Sequence, residues 1–117
     1  MNVKKKEKDR LLILEITEEI DHHMSEKIRR YADYEIQRRN PKKVILDFSG
    51  VSFMDSAGIG MVIGRYKTAA MLGAKIEMIN VKENIKKVFE MTGVLKIIPI
   101  TTINEEGGFI NEKTVWK

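Results

Sequence analysis

The sequence predicts an α/β fold in which helices pack on a mostly parallel sheet. Two observations lead there. Residues 11–16 (LLILEI) and 43–48 (KVILDF) are apolar runs too short to be helices of their own, and they read as buried strands. Between them the period changes, and apolar residues recur at helical spacing with charges on the opposite face. Strands alternating with helices imply crossover connections, and the right-handed preference of crossovers restricts the topology.

Taken in order, residues 2–5 are expected to form an edge strand, with residues 6–10 as a turn. The basic run Lys4, Lys5, Lys6 and Lys8 is diluted by Glu7 and Asp9, and reads as a solvated turn rather than a ligand site. Residues 11–16 follow as a strand. From Asp21 to Arg39 a helix is carried by Met24, Ile28, Tyr31 and Ile36; Asp21 is placed to cap it and Asn40-Pro41 to end it. Residues 43–48, apolar apart from Asp47, read as a central strand covered on both faces.

The next helix is expected over residues 57–72, with Ile59, Val62, Ile63, Tyr66 and Ala70 inward and Gly73 as its stop. Met61 is assigned to the core; Arg65 and Lys67 are assigned to solvent. Residues 75–81 (KIEMINV) read as a strand, and residues 83–92 as a helix through Ile85, Val88 and Phe89, stopped by Gly93. Residues 97–100 (IIPI) read as a last short strand, with Pro99 placing it at an edge. The tail, residues 101–117, receives no assignment. Gly107-Gly108 weakens a helix there, while Phe109, Ile110 and Trp116 could pack on the core.

A chain of 117 residues with 43% hydrophobic and 32% charged residues can support one core, so a single domain over residues 1–117 is expected, its core at about 11–100. The absence of cysteine excludes disulfides, thiolate metal sites and cysteine nucleophiles. No apolar run approaches the roughly 20 residues of a membrane span. Glu15, Glu18 and Glu19 interrupt the apolar segment after the charged start, and no small-residue cleavage site follows. A soluble cytoplasmic protein is the expectation. The net charge of +4 is spread out rather than gathered into a patch for nucleic acid or membrane.

The stretch SFMDSAGIG, Ser52 to Gly60, joins a strand to a glycine-rich helix and places an acid beside a hydroxyl at the joint. Four readings are open. Asp55 or Ser56 can be a helix cap, a role favourable to both residue types. Ser56 can be a nucleophile, for which only His22 and His23 are available as base; adjacent on a helix, they point about 100° apart, and Met54 stands where the nucleophile elbow has its first glycine. Gly58, Gly60 and Gly64 can cradle a phosphate, but their spacing is one residue off the dinucleotide fingerprint, and no phosphate-binding Gly-Lys-Ser/Thr loop exists. Finally, Ser56 can be displayed for modification, since a phosphate at a helix N-terminus meets free N–H groups and a favourable dipole.

SFMDSAGIG followed by GRYK (Gly64 to Lys67) resembles the signature of STAS-domain anti-sigma factor antagonists, and the resemblance extends over nearly all of residues 11–100. EIDHHMSE (Glu19 to Glu26) and KVFEMTGVLKII (Lys87 to Ile98) are similar to segments of the sporulation type. The resemblance implies a STAS fold, a mostly parallel sheet of about four to five strands with about four helices. It implies a regulator of transcription that is not an enzyme and carries no cofactor. Its unphosphorylated form binds an anti-sigma factor that is also a serine kinase and so releases the sigma factor. Phosphorylation ends that binding, and a metal-dependent serine phosphatase reverses it. Carried over by position, the acceptor is Ser56, Asp55 helps present it, Asp21 contacts the kinase, and Gly58 and Gly60 allow close backbone approach. Ala57 departs from the family, where a second hydroxyl commonly follows the acceptor; so does Glu18, where glycine is frequent, and the tail does not reproduce the last helix. The alternative is a STAS module that binds nucleotide or serves as a scaffold without a phospho-switch.

Overall fold

A computed structural model of the chain describes residues 3–103 and 109–111, with side chains from residue 9 to residue 102. The elements are β1 (Val3–Lys8), β2 (Leu11–Ile16), α1 (His22–Arg39), β3 (Lys43–Asp47), α2 (Ser56–Met71), β4 (Lys75–Ile79) and α3 (Glu83–Thr92). A 3-10 turn (Val94–Lys96) and two short strands, β5 (Thr101–Ile103) and β6 (Phe109–Asn111), follow. The main sheet has the order β1-β2-β3-β4, with β1 antiparallel to β2 and the other pairs parallel.

The register builds one apolar face. Leu12, Val44 and Ile76 lie in one row across the three parallel strands, and Leu14, Leu46 and Met78 in the next. All six join a single core with Ile28 and Ile36 of α1, Met61, Val62 and Ala69 of α2, and Ile85 and Phe89 of α3. Each crossover advances the sheet in the same direction with the same hand, so all three helices share this face. Ile45, on the other face of β3, is fully buried as well, so the strand is covered on both faces as expected, with the helices on one of them. Phe48 and Phe89 meet edge to face, with centroids 5.7 Å apart.

Several boundaries differ from the sequence reading. The basic run is not a solvated turn: residues 4–8 pair with β2, and the turn is only Asp9-Arg10. Both have positive φ, 51° and 65°, as a two-residue hairpin with right-handed twist requires. Residues 97–100 are not a strand. Ile100 makes a single bridge to Met78, and the strand begins at Thr101. Three α-helices and one 3-10 turn stand among the described residues, against about four helices expected. The expectation that Trp116 packs on the core lies outside the described residues, as do the side chains of Phe109 and Ile110. No helix among the described residues is long and apolar enough to cross a membrane.

Helix α2 is rotated from the expected orientation. Its buried residues are Gly58, Met61, Val62, Arg65 and Ala69, whereas Ala70 is exposed. Ile59, Ile63 and Tyr66 pack at the margin of the core. Arg65, expected in solvent, is only 4% exposed. It is drawn in by Asp33 of α1, whose carboxylate oxygen lies 2.7 Å from Nε.

Candidate functional site

The site is assembled by one parallel bridge between two loops. Ile20 pairs with Met54: the Ile20 N–H donates to Phe53 O at 3.0 Å, and the Asp55 N–H donates to Ile20 O at 3.0 Å. The residue after each bridged position is the N-cap of a helix. Asp21 Oδ1 accepts the Met24 N–H at 2.7 Å, and Asp55 Oδ1 accepts the Ala57 N–H at 2.9 Å. The starts of α1 and α2 are thus held side by side, and Asp21 and Asp55 emerge next to one another. Both aspartates are therefore caps, and capping alone accounts for their stabilising role, about 1 kcal/mol each.

Ser56 follows directly as the first residue of α2, with its side chain exposed. Among the described residues no hydrogen bond restrains its hydroxyl. His22 and His23 are exposed at the start of α1, and neither is brought into a hydrogen bond with Ser56. Among the described residues no group of three or more His, Cys, Asp or Glu side chains is placed to hold a metal ion.

The loop bearing Ser56 is braced from its neighbours. Lys82 Nζ donates to Ser49 O at 2.7 Å and to Val51 O at 3.3 Å; Asn84 Nδ2 donates to Ser52 O at 3.1 Å; and Ser52 Oγ donates to Glu19 at 3.1 Å. At the loop's base, Asp47 is buried at the end of β3 and accepts from the Ser49 N–H and Asn80 Nδ2. Phe53, on the same loop, is 53% exposed. Lys82 and Asn84 lie more than 30 residues from the groups they hold, so no local pattern in the sequence points to them.

The glycines at the joint separate into two kinds. A Cβ on Gly58 would lie 2.2 Å from Met54 Cγ and 3.2 Å from Ile20 Cγ2, so the bare backbone lets α2 seat against the bridge. A Cβ on Gly60 would meet nothing within 4 Å. Gly60 instead lines an open groove of about 330 Å³ between α1 and α2, with Ala57 on its own helix and His22, Ser25, Glu26 and Arg29 opposite. Glu26 is paired there with Arg29, whose Nε–H donates to Oε2 at 3.0 Å and whose Nη2 makes a second, closer contact to Oε1. Arg29, with a smaller share from Arg30, holds the Glu26 carboxyl down to about 2.

The family model described as STAS domain matches residues 2–107. The chain belongs to the STAS domain family. This STAS domain is 36% identical over 90 residues to the anti-sigma F factor antagonist of Paenibacillus polymyxa, with 77% of each chain covered. Among solved structures it is similar to the anti-sigma factor antagonist SpoIIAA in its unphosphorylated form, with a TM-score of 0.75 and 27% identity over 89% of this chain and 90% of that one. It is also similar to the Bacillus cell fate determinant SpoIIAA in the phosphorylated form, with a TM-score of 0.69 and 26% identity over 89% and 93% of the two chains. The STAS assignment places the capped pair Asp21 and Asp55, and the exposed Ser56, in a family whose solved members include both modified and unmodified forms.

Proposed function

We propose that this chain is an anti-sigma factor antagonist that acts by partner switching, with the phosphorylation state of Ser56 as its signal. The protein works by binding rather than turnover. Unmodified, it docks through the face that carries Asp21, Asp55 and Ser56 onto an anti-sigma factor with serine kinase activity, and the sigma factor is released. Gly60 allows close approach there, and Phe53 adds an exposed aromatic side chain of the kind that anchors interfaces. Gly58 supports the same face from within. It is of the sporulation type, and its place is the cytoplasm.

The observation that carries the reading is the exposed, unrestrained hydroxyl of Ser56 on the first turn of α2, immediately after its cap. Helix N-terminal geometry tolerates an anion, so the modified protein keeps its fold. In the transfer, the partner's ATP loses its γ-phosphoryl group. The bond from γ-phosphorus to the bridging oxygen breaks, a bond to Ser56 Oγ forms, ADP departs, and the serine proton passes to a base on the kinase. The product carries about −1.5 to −2 additional charges at neutral pH. Beside Asp55 and Asp21 that charge repels acidic groups and resists desolvation in an interface, so the partner is let go. A metal-dependent serine phosphatase hydrolyses the ester and restores the binding form.

Intact-mass analysis of the protein with the anti-sigma kinase, ATP and magnesium tests the reading, with Ser56→Ala in parallel. One added phosphoryl group of about 80 Da on the parent chain, absent from the variant, is expected. The variant should also retain kinase binding after ATP is added, while the parent is released. An unmodified parent with an active kinase would return Asp55-Ser56 to a helix cap in a STAS scaffold.

A further inference from the structure

Ser56 and Gly60 are one turn apart and share a face of α2. Ala57 and Gly60 line the α1–α2 groove, and Ser56 directly precedes the first and lies one turn before the second, at the N-terminal end of that groove. The space beneath is open, since a Cβ at Gly60 would meet no atom within 4 Å. Across the groove, Arg29 leans back along α1 toward the helix start, as helical side chains do, and reaches Glu26 three residues earlier. The Ile20–Met54 bridge sets the first turns of the two helices at the same level, so the Arg29 guanidinium lies opposite the first turns of α2. Arg29 and Glu26 are 45% and 49% exposed, which leaves the pair open to exchange.

We propose that a phosphate on Ser56 turns into this groove and takes Arg29 from Glu26, with His22 beside it. This rests on the reading that Ser56 is modified. The exchange replaces a singly charged carboxylate with a phosphate of nearly twice the charge, and the planar guanidinium can meet two phosphate oxygens at once. Among the described residues Glu26 then keeps only Arg30, at 3.3 Å through a side chain that is 75% exposed. One modification thus changes the surface twice: the phosphate fills the groove, and an ionised Glu26 is uncovered on its rim. Asp21, Asp55 and Glu26 are the acids facing the phosphate, and Arg29 and His22 the basic groups.

The test uses the full chain with phosphoserine encoded at position 56, so that no kinase is needed. The phosphorus resonance of phosphoserine and the carboxyl carbon resonance of Glu26 are followed against pH. The expected result is a Glu26 midpoint that rises from about 2 toward 4.5 on phosphorylation. The second phosphate midpoint should lie below the roughly 6 of free phosphoserine. Arg29→Gln should raise the phosphate midpoint by about one unit, and Arg29→Lys should return part of that shift. An unmoved Glu26 midpoint, with the same phosphate midpoint in the parent and Arg29→Gln phosphoproteins, would overturn the proposal. If Arg29→Gln does not fold, the Glu26 midpoint of the phosphorylated parent decides alone. Failure of the kinase to modify Ser56 would appear in the mass experiment and leave this titration unaffected.

Discussion

Asp33 of α1 and Arg65 of α2 meet at 2.7 Å inside the helix pair that flanks the site. The Arg65 Nε–H is not aimed at the carboxylate, so the contact is an ion pair rather than a hydrogen bond; Nη1 donates instead to Met61 O at 3.3 Å. Burial pushes the Arg65 guanidinium below its ordinary value, and Asp33 opposes that push. Removing one partner of such a pair strands the other charge, whereas replacing both charges with apolar groups can be nearly neutral. Asp33→Ala and Arg65→Met are therefore each expected to cost about 3 kcal/mol, and the double variant less than either. Urea denaturation of the three variants measures the difference, and a double variant that loses more than either single one would mean the pair is net stabilising.

Gly58 and Gly60 should respond in opposite directions to alanine. Gly58→Ala places a methyl group 2.2 Å from Met54 Cγ, so Met54 must shift at the bridge that aligns both helices, and stability should fall. Gly60→Ala enters open space and should gain about 1 kcal/mol, because alanine is the better helix former. Its binding to the kinase should nonetheless weaken. Thermal melts beside a binding titration separate the two; unchanged binding by Gly60→Ala would remove Gly60 from the interface.

The caps can be split into structure and charge. Asp55→Ala should lose about 1 kcal/mol, while Asp55→Asn retains a capping oxygen and should lose little. Kinase binding should weaken in both if the carboxylate itself is recognised. A fully active Asp55→Asn would assign Asp55 to capping alone. The same pair of substitutions at Asp21 asks the same question of the other helix.

The Glu26 carboxyl offers a test by pH. Arg29, then Arg30, lowers it from 4.5 to about 2. Since the folded value is the lower one, the contribution of this pair to stability is present above about 4.5 and is lost as pH falls toward 2. Arg29→Gln should raise the midpoint toward 4.5, leaving a smaller depression from Arg30. A carbon-detected titration of the side-chain carboxyl reads both values directly.

Local chemistry was legible where it acts within a few residues. Asp21 as a cap, the stop at Asn40-Pro41, and α3 from Glu83 to Thr92 with Gly93 in a left-handed closing conformation all follow from short-range patterns. Glu26, Arg29 and Arg30 also stand at helical pairing distance, so their network could have been read from spacing. The turn expected over residues 6–10 narrows to Asp9-Arg10, a left-handed pair without the glycine or asparagine that usually marks its position. Arg65 escaped because periodicity assigns a charged residue to solvent, and only the position of Asp33 on another helix reverses that assignment.

By itself the sequence determined the alternation of strands and helices, the Asp21 cap and the Asp-Ser joint, because hydrophobic period and capping are properties of neighbouring residues. Only the tertiary structure decided that Asp21 and Asp55 stand together, that Gly58 serves the fold while Gly60 faces a groove, and that Lys82 and Asn84 brace the loop of Ser56. Those relations join residues more than 30 positions apart across the Ile20–Met54 bridge and the loops beside it. The packing of helices on a single sheet face brings them within bonding distance, and no local pattern carries that information.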